Sequence, residues 1–187
     1  GSTQTYTAEA FDQFNNSRGL VTDNTTVSIQ SGAAGSWAAN VYTSQIAGTW
    51  IVTGSYSGLS DNATLTVNAG TIHHYTVISD NYTQRVTVPF TVTVIARDSV
   101  GNLVVADNIS VTMTSNLSGM IFDADGDGIL VSGTFNIKAK AKTASDNVTI
   151  TATDSSSNTG TSAAYKIEDF RCFIATAAYG TPMADQI

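Results

Sequence analysis

Apolar and polar residues alternate in short runs along most of this chain. Val27 and Ile29 are separated by a polar residue, as are Val111 and Met113, and Trp50 with Val52 and Val148 with Ile150 repeat the same spacing. A period of two with polar partners predicts half-buried antiparallel strands, because successive side chains on a strand point to opposite faces. Turn-forming residues separate these runs, which predicts an all-β chain of short strands folded as β-sandwiches, about seven strands to a unit.

The runs recur. Thr5-Tyr-Thr-Ala-Glu-Ala10-Phe-Asp12-Gln-Phe-Asn-Asn16 matches Thr91-Val-Thr-Val-Ile-Ala96-Arg-Asp98-Ser-Val-Gly-Asn102 at an offset of 86 (96 − 10). Asp23 to Ile29 matches Asp107 to Met113 at an offset of 84, and Thr49-Trp50 matches Asn147-Val148 at 98. The sequence thus holds two copies of one unit, with about 14 extra residues (98 − 84) in the second copy between Asp107 and Gly133. In both copies Ala-x-Asp-x-x-x-Asn (Ala10, Asp12, Asn16; Ala96, Asp98, Asn102) predicts a strand end followed by a turn capped by the Asp side chain.

The stretches PFTVTVIARDSVGN (89–102), GTWIVTGSYSG (48–58) and NVTITATDSSSN (147–158) resemble prokaryotic immunoglobulin-like repeats of the invasin and intimin type. The resemblance covers the chain to about Ile167 and implies two tandem immunoglobulin-like sandwiches, at residues 1–68 and 69–167. Such repeats build stalks of adhesins, surface layers and fibres, so it implies an extracellular, cell-surface setting and no particular activity. The remaining segment, 168–187, contains CFIATAAYGTPMA, which resembles the start of the CFI-box found near the C-termini of prokaryotic surface proteins.

The two copies differ at their openings. TIHHYTVIS (71–79) reads as the first strand of the second copy, whereas the first copy begins at Thr5, already in its second strand. An incomplete sandwich leaves backbone N–H and C=O groups unpaired, and such an edge accepts a strand from another chain. The tail is a candidate donor over Phe170, Cys172, Phe173, Ile174, Ala175, Thr176, Ala177, Ala178 and Tyr179. As a strand it would put Phe173, Ala175, Ala177 and Tyr179 on one face and Cys172, Ile174, Thr176 and Ala178 on the other. A head-to-tail contact of this kind does not close and grows a filament, with the chain as its own partner. The alternatives are a first copy that has simply been cut short, with the tail a disordered linker, as in a piece of a larger adhesin or surface-layer stalk in which both units are spacers, and a tail packed on its own chain.

Composition narrows the field. A net charge of −7 and a pI near 4.4 oppose binding to nucleic acid or to an anionic membrane. The single cysteine, Cys172, allows no intrachain disulfide, and no apolar stretch approaches the length of a spanning helix. No signal peptide is visible, as expected of a mature chain or an excised piece.

Candidate chemistry is sparse. Asp123-Ala-Asp125-Gly-Asp127-Gly128 places three carboxylates at positions 1, 3 and 5 of a glycine-rich loop, a spacing that suits Ca²⁺; position 12 is Thr134 rather than Glu, and an Asp-Gly turn explains the same residues. His73 and His74 are adjacent on a strand, point to opposite faces and are ill placed to share a metal. Asn-x-Ser/Thr sequons occur at Asn15, Asn24, Asn62, Asn81, Asn108, Asn116 and Asn147, which points to glycosylation on an exposed surface. No Ser/His/Asp set, phosphate-cradling loop or paired-carboxylate cleft is recognisable. The expectation is therefore a structural protein, with calcium as its one candidate cofactor.

Overall fold

The computed structural model describes residues 1–169, and these are all-β. The first unit runs β1 (Thr3–Thr5), β2 (Glu9–Phe11), β3 (Ser17–Leu20), β4 (Thr26–Ile29), β5 (Gly35–Ala38), β6 (Val41–Ser44), β7 (Gly48–Tyr56) and β8 (Leu59–Val67). The second runs β9 (His74–Ile78), β10 (Thr83–Arg85), β11 (Phe90–Arg97), β12 (Ser110–Ser115), β13 (Met120–Phe122), β14 (Asp127–Ile129), β15 (Thr134–Ala141), β16 (Ser145–Val148), β17 (Ile150–Asp154), β18 (Thr159–Thr161) and β19 (Tyr165–Glu168).

The second unit is a closed immunoglobulin-like sandwich. One sheet has the order β13-β15-β11-β9 and the other β14-β12-β17-β18. Alternation decides which residues face inward. On β11 Phe90, Val92, Val94 and Ala96 are buried while the residues between them are only partly so. They meet Val111 and Met113 of β12 and Ile150 and Ala152 of β17 in one apolar cluster. The opening strand β9 pairs with β11 from Thr93↔Ile78 to Arg97↔His74 and turns Tyr75 and Val77 into the same core. The chain then bends, and β10 pairs in parallel with the last strand, β19, at Thr83↔Lys166 to Arg85↔Glu168. That parallel pair carries no signal in the alternation of the sequence.

The first unit reuses the plan incompletely. Its sheet β5-β6-β1 keeps the counterparts of β15 and β11, with β5 taking the place of β13. Pairing of Gln4 with Tyr42 repeats the pairing of Phe90 with Ala139. Where β11 is one unbroken strand, the first unit has β1, a gap at residues 6–8, and β2, which pairs with β3. Among the described residues no strand pairs with β1 or β2 on the side that β9 occupies in the second unit. The last strand responds. Instead of splitting as β18 and β19 do, β8 stays in a nine-residue hairpin with β7, from Gly48↔Val67 to Tyr56↔Leu59.

The cores differ accordingly. Seventeen buried apolar side chains of the second unit form one cluster. In the first unit only Ala33, Tyr42 and Val52 are buried to that degree among the described residues, while Phe14, Leu20 and Leu59 stand 75%, 74% and 67% exposed.

The extra residues of the second unit form β13, a 3₁₀ turn at Asp123–Gly126, and β14, which cross from one sheet to the other. β13 extends the β15 edge, and β14 pairs with β12.

Candidate functional site

The space that β9 fills in the second unit is an open cleft of about 450 Å³ in the first. One wall is the stretch from Tyr6 to Phe11, the counterpart of Val92 to Arg97. The opposite wall is Leu59 to Ala63 of β8, and the floor is Val27, Val52, Gly54 and Tyr56. Tyr6, Ala8, Ala10, Val27, Val52 and Gly54 are repeat equivalents of Val92, Val94, Ala96, Val111, Ile150 and Ala152, so the floor and near wall are core positions without a filling. In the second unit those positions close over Tyr75 and Val77.

How tightly β9 fits there shows what an occupant must satisfy. β18 approaches so closely that a Cβ on Gly160 would lie 1.9 Å from the Tyr75 carbonyl oxygen. The Tyr75 hydroxyl donates to Asp154 Oδ2 at 2.8 Å in the buried interior, and burial together with that carboxylate pushes its pKa well up. The first unit has Tyr56 at the position of Asp154. Its Tyr6 hydroxyl is buried without a hydrogen-bond partner among the described residues, a state that costs about 1–3 kcal/mol. Tyr6 packs on Trp37 at 5.6 Å, and Trp37 on Tyr42 at 4.9 Å, so an aromatic stack stiffens the closed side of the unit. The only charged side chains lining the cleft among the described residues are the carboxylates Glu9 and Asp61.

A second element sits at the same end of each unit. In the Asp98 turn, Asp98 Oδ1 accepts from the N–H groups of Val100 and Asn102, and Asn102 Nδ2 donates to Asp98 Oδ2 at 2.9 Å. The Asp12 turn and the Asp154 turn repeat this geometry with Asn16 and Asn158. The Asp98 turn does more. Asn102 Oδ1 accepts from the Ala47 N–H at 3.0 Å, its Nδ2 also donates to the Gln45 carbonyl at 2.8 Å, and the Gly70 N–H donates to Asp98 Oδ2 at 3.0 Å. The turn therefore joins the first unit, the linker and the second unit. Burial opposes charge on Asp98, but the donors from Gly70, Asn102 and Val100 outweigh it and hold its carboxyl well below the usual carboxylate range.

The other residues singled out by sequence are scattered. Ala124 (φ 49°) and Asp125 (φ 57°) take left-handed backbone in the 3₁₀ turn, and Asp127 Oδ1 accepts from the Thr112 hydroxyl at 2.8 Å. Among the described residues no group of three or more His, Cys, Asp or Glu side chains converges to hold an ion; Asp123, Asp125 and Asp127 lie on and just after this turn. Against the expectation of opposite faces, His73 lies just ahead of β9 rather than on it, and its ring meets that of His74 edge to face at 5.7 Å; the His73 N–H donates to the Arg97 carbonyl. All seven sequon asparagines are exposed. Asn116 is the most engaged: its Nδ2 donates to the Asn147 carbonyl and its Oδ1 accepts from the Thr149 N–H. The candidate donor residues Phe170 to Tyr179, and the CFI-box resemblance with them, lie outside the described residues.

Sequence reasoning missed the joining role of Asn102 and Asp98 and the Tyr75–Asp154 pair. The recurrence of Asp-x-x-x-Asn at 12, 98 and 154 was visible as a signal; which copy docks on a neighbour was not.

No family model matches the chain, and no curated protein matches it. Solved structures similar to it include domains 4 and 5 of the S-layer protein SbsC, with 19% identity over 87% of this chain and 80% of that one and a TM-score of 0.39. The Yersinia pseudotuberculosis adhesin InvE matches at 19% identity, 84% of this chain, 51% of that chain and a TM-score of 0.44. The D00–D0 domain of intimin matches at 18% identity, 76% of this chain, 78% of that one and a TM-score of 0.49. This chain thus spans about half the length of the adhesin it matches. At these values the functional reading rests on the chain's own geometry.

Proposed function

We propose that this chain is a structural segment of an extracellular, cell-surface protein whose first unit is completed by a β-strand from outside residues 1–169. The observation that carries this reading is the cleft between Tyr6–Phe11 and Leu59–Ala63, at the position that β9 fills in the second unit. The donor is residues 170–179 of a second copy. On one face they offer Phe173, Ala175, Ala177 and Tyr179, an aromatic followed two residues later by a small apolar side chain, as Tyr75 is followed by Val77. Backbone pairing along Thr7 to Phe11 supplies affinity, and the alternating side chains select the register. Repetition of the contact builds a head-to-tail filament. The exposed sequons are offered as attachment sites for glycans on its surface.

Electron microscopy and sedimentation of the full chain beside a chain ending at Asp169 test this. Filaments from the full chain alone, blocked by an excess of a 170–187 peptide, are the expected result. A cleft that ignores this peptide but binds a strand supplied ahead of Gly1 would place the donor upstream and overturn the filament.

A second reading is favoured by the hydrogen bonds of Asn102 and Asp98, which fix one unit on the next. Such a junction suits a spacer in a longer adhesin or surface-layer stalk. That reading expects an elongated monomer at all concentrations.

A further inference from the structure

We infer that the free edge of β4 is an interaction surface for a second copy of this chain, the two β4 strands pairing antiparallel about a two-fold axis through Ser28. The contact is lateral. It uses the edge of the sheet opposite β8 and stands whether or not a strand enters the cleft.

The repeat shows what this edge takes. Thr26-Val27-Ser28 corresponds to Ser110-Val111-Thr112 at the offset of 84. In the second unit β14 covers those residues, with Ser110↔Ile129, Val111↔Gly128 and Thr112↔Asp127. β14 belongs to the extra residues between Asp107 and Gly133, which have no counterpart between Asp23 and Gly35. In the first unit β4 is therefore the outer strand of β4-β7-β8, and among the described residues nothing pairs with its other side. The opening thus arises from residues inside the unit.

The main chain fixes the register. The Gln30 N–H donates to the Ile51 carbonyl, so the alternate residues Ser28 and Thr26 also bond towards β7, and Val27 and Ile29 turn their N–H and C=O groups outward. Two such edges laid antiparallel bond Val27 of each copy to Ile29 of the other, each pair exchanging both of its N–H···O=C bonds, and set Ser28 opposite Ser28 on the axis. Natural edges are blunted by Lys, Pro or a bulge. Thr26-Val27-Ser28-Ile29 has none of these.

Charge favours a like partner at this edge. The chain carries −7, which opposes contact between copies over much of its surface. The solvent face of this sheet, from Thr26 and Ser28 across Ile51 and Thr53 to Asn62 and Thr64, carries no charged side chain. Asp61, the one charged residue on the three strands, pairs with Gly54 and lines the cleft on the opposite face. Joining the edges merges two such faces into one uncharged sheet.

The test uses the full chain with Cys172→Ser, under mild oxidation, read on a denaturing gel so that filament growth through the cleft does not obscure it. Ser28→Cys is expected to give a disulfide-linked dimer, because residues facing each other between hydrogen-bonded rungs stand about 4.5 Å apart at Cα, within disulfide reach. Ser55→Cys, also exposed on this face but one strand in from the edge, is the control. The register is tested by mixing Thr26→Cys with Gln30→Cys, which should link the two chains. Ser28→Lys in both sets like charges on the axis and should cut that yield about fivefold. A Ser28→Cys dimer no greater than that of Ser55→Cys overturns the contact, as does a mixed yield that Ser28→Lys leaves unchanged. Filaments that still form in that case leave strand donation standing without it.

Discussion

The unequal filling of the two units should be visible in how they unfold. The second unit buries Tyr75 (3% exposed) and Val77 (4%) from its opening strand, and the first has no described residues in those places. Burying a side chain of this size contributes about 1.5–3 kcal/mol, so the pair accounts for about 3–6 kcal/mol. A unit of this length has a urea m-value near 1 kcal/mol per M, which places the midpoint of the first unit about 3 M or more below that of the second. The chain supplies its own reporter. Its two tryptophans, Trp37 and Trp50, both lie in the first unit. Tryptophan fluorescence therefore follows that unit alone, while far-ultraviolet circular dichroism follows both. At concentrations where the chain is monomeric, the fluorescence transition should come early and account for only part of the dichroism change. Superimposed transitions with one midpoint would refute the reasoning, because they would mean that the first unit is stabilised as fully as the second without an added strand.

Three further outcomes follow from the same contacts. Tyr75→Phe removes a buried hydrogen bond to a carboxylate and should cost about 2 kcal/mol in the later, dichroism-detected transition, with the tryptophan transition unmoved. The folded-state pKa of Asp98 is depressed, so its contribution is fully present above the ordinary Asp value of about 3.9 and is lost as pH falls below it. The melting temperature should accordingly hold from neutral pH to about 5 and drop below about 4, and Asp98→Asn should lower the plateau and flatten the drop. If Asp123, Asp125 and Asp127 act only as a turn, a chelator should leave the melting temperature unchanged; a calcium-dependent rise would assign them a metal.

Much of this architecture was legible in the order of residues. Alternation at Val27 and Ile29 and at Val111 and Met113 identified strands, and the repeat offsets aligned them. The absence of a first-unit partner for Tyr75 and Val77 pointed to the cleft. What stayed hidden depends on partners distant in sequence. Nothing local distinguishes Asn102, whose amide reaches Gln45 and Ala47, from Asn16, whose amide does not. Nor does any local pattern announce that Thr83 to Arg85 will lie parallel to Lys166 to Glu168. The carboxylates of the Asp123 loop had metal-like spacing, but left-handed backbone at Ala124 and Asp125 sets where they point, and spacing alone does not encode it.

The parallel pairing of β10 with β19 has a mechanical consequence. A pull along the chain enters the second unit near His74 and leaves near Glu168, and it drags these two strands in opposite directions along their own axes. The hydrogen bonds between them are then loaded in shear and must fail together. A hairpin opened from its free end, as β7 and β8 would be, unzips one rung at a time. The second unit is thus arranged to bear tension between its ends, and the first gains a comparable clamp only when a strand is laid beside β8.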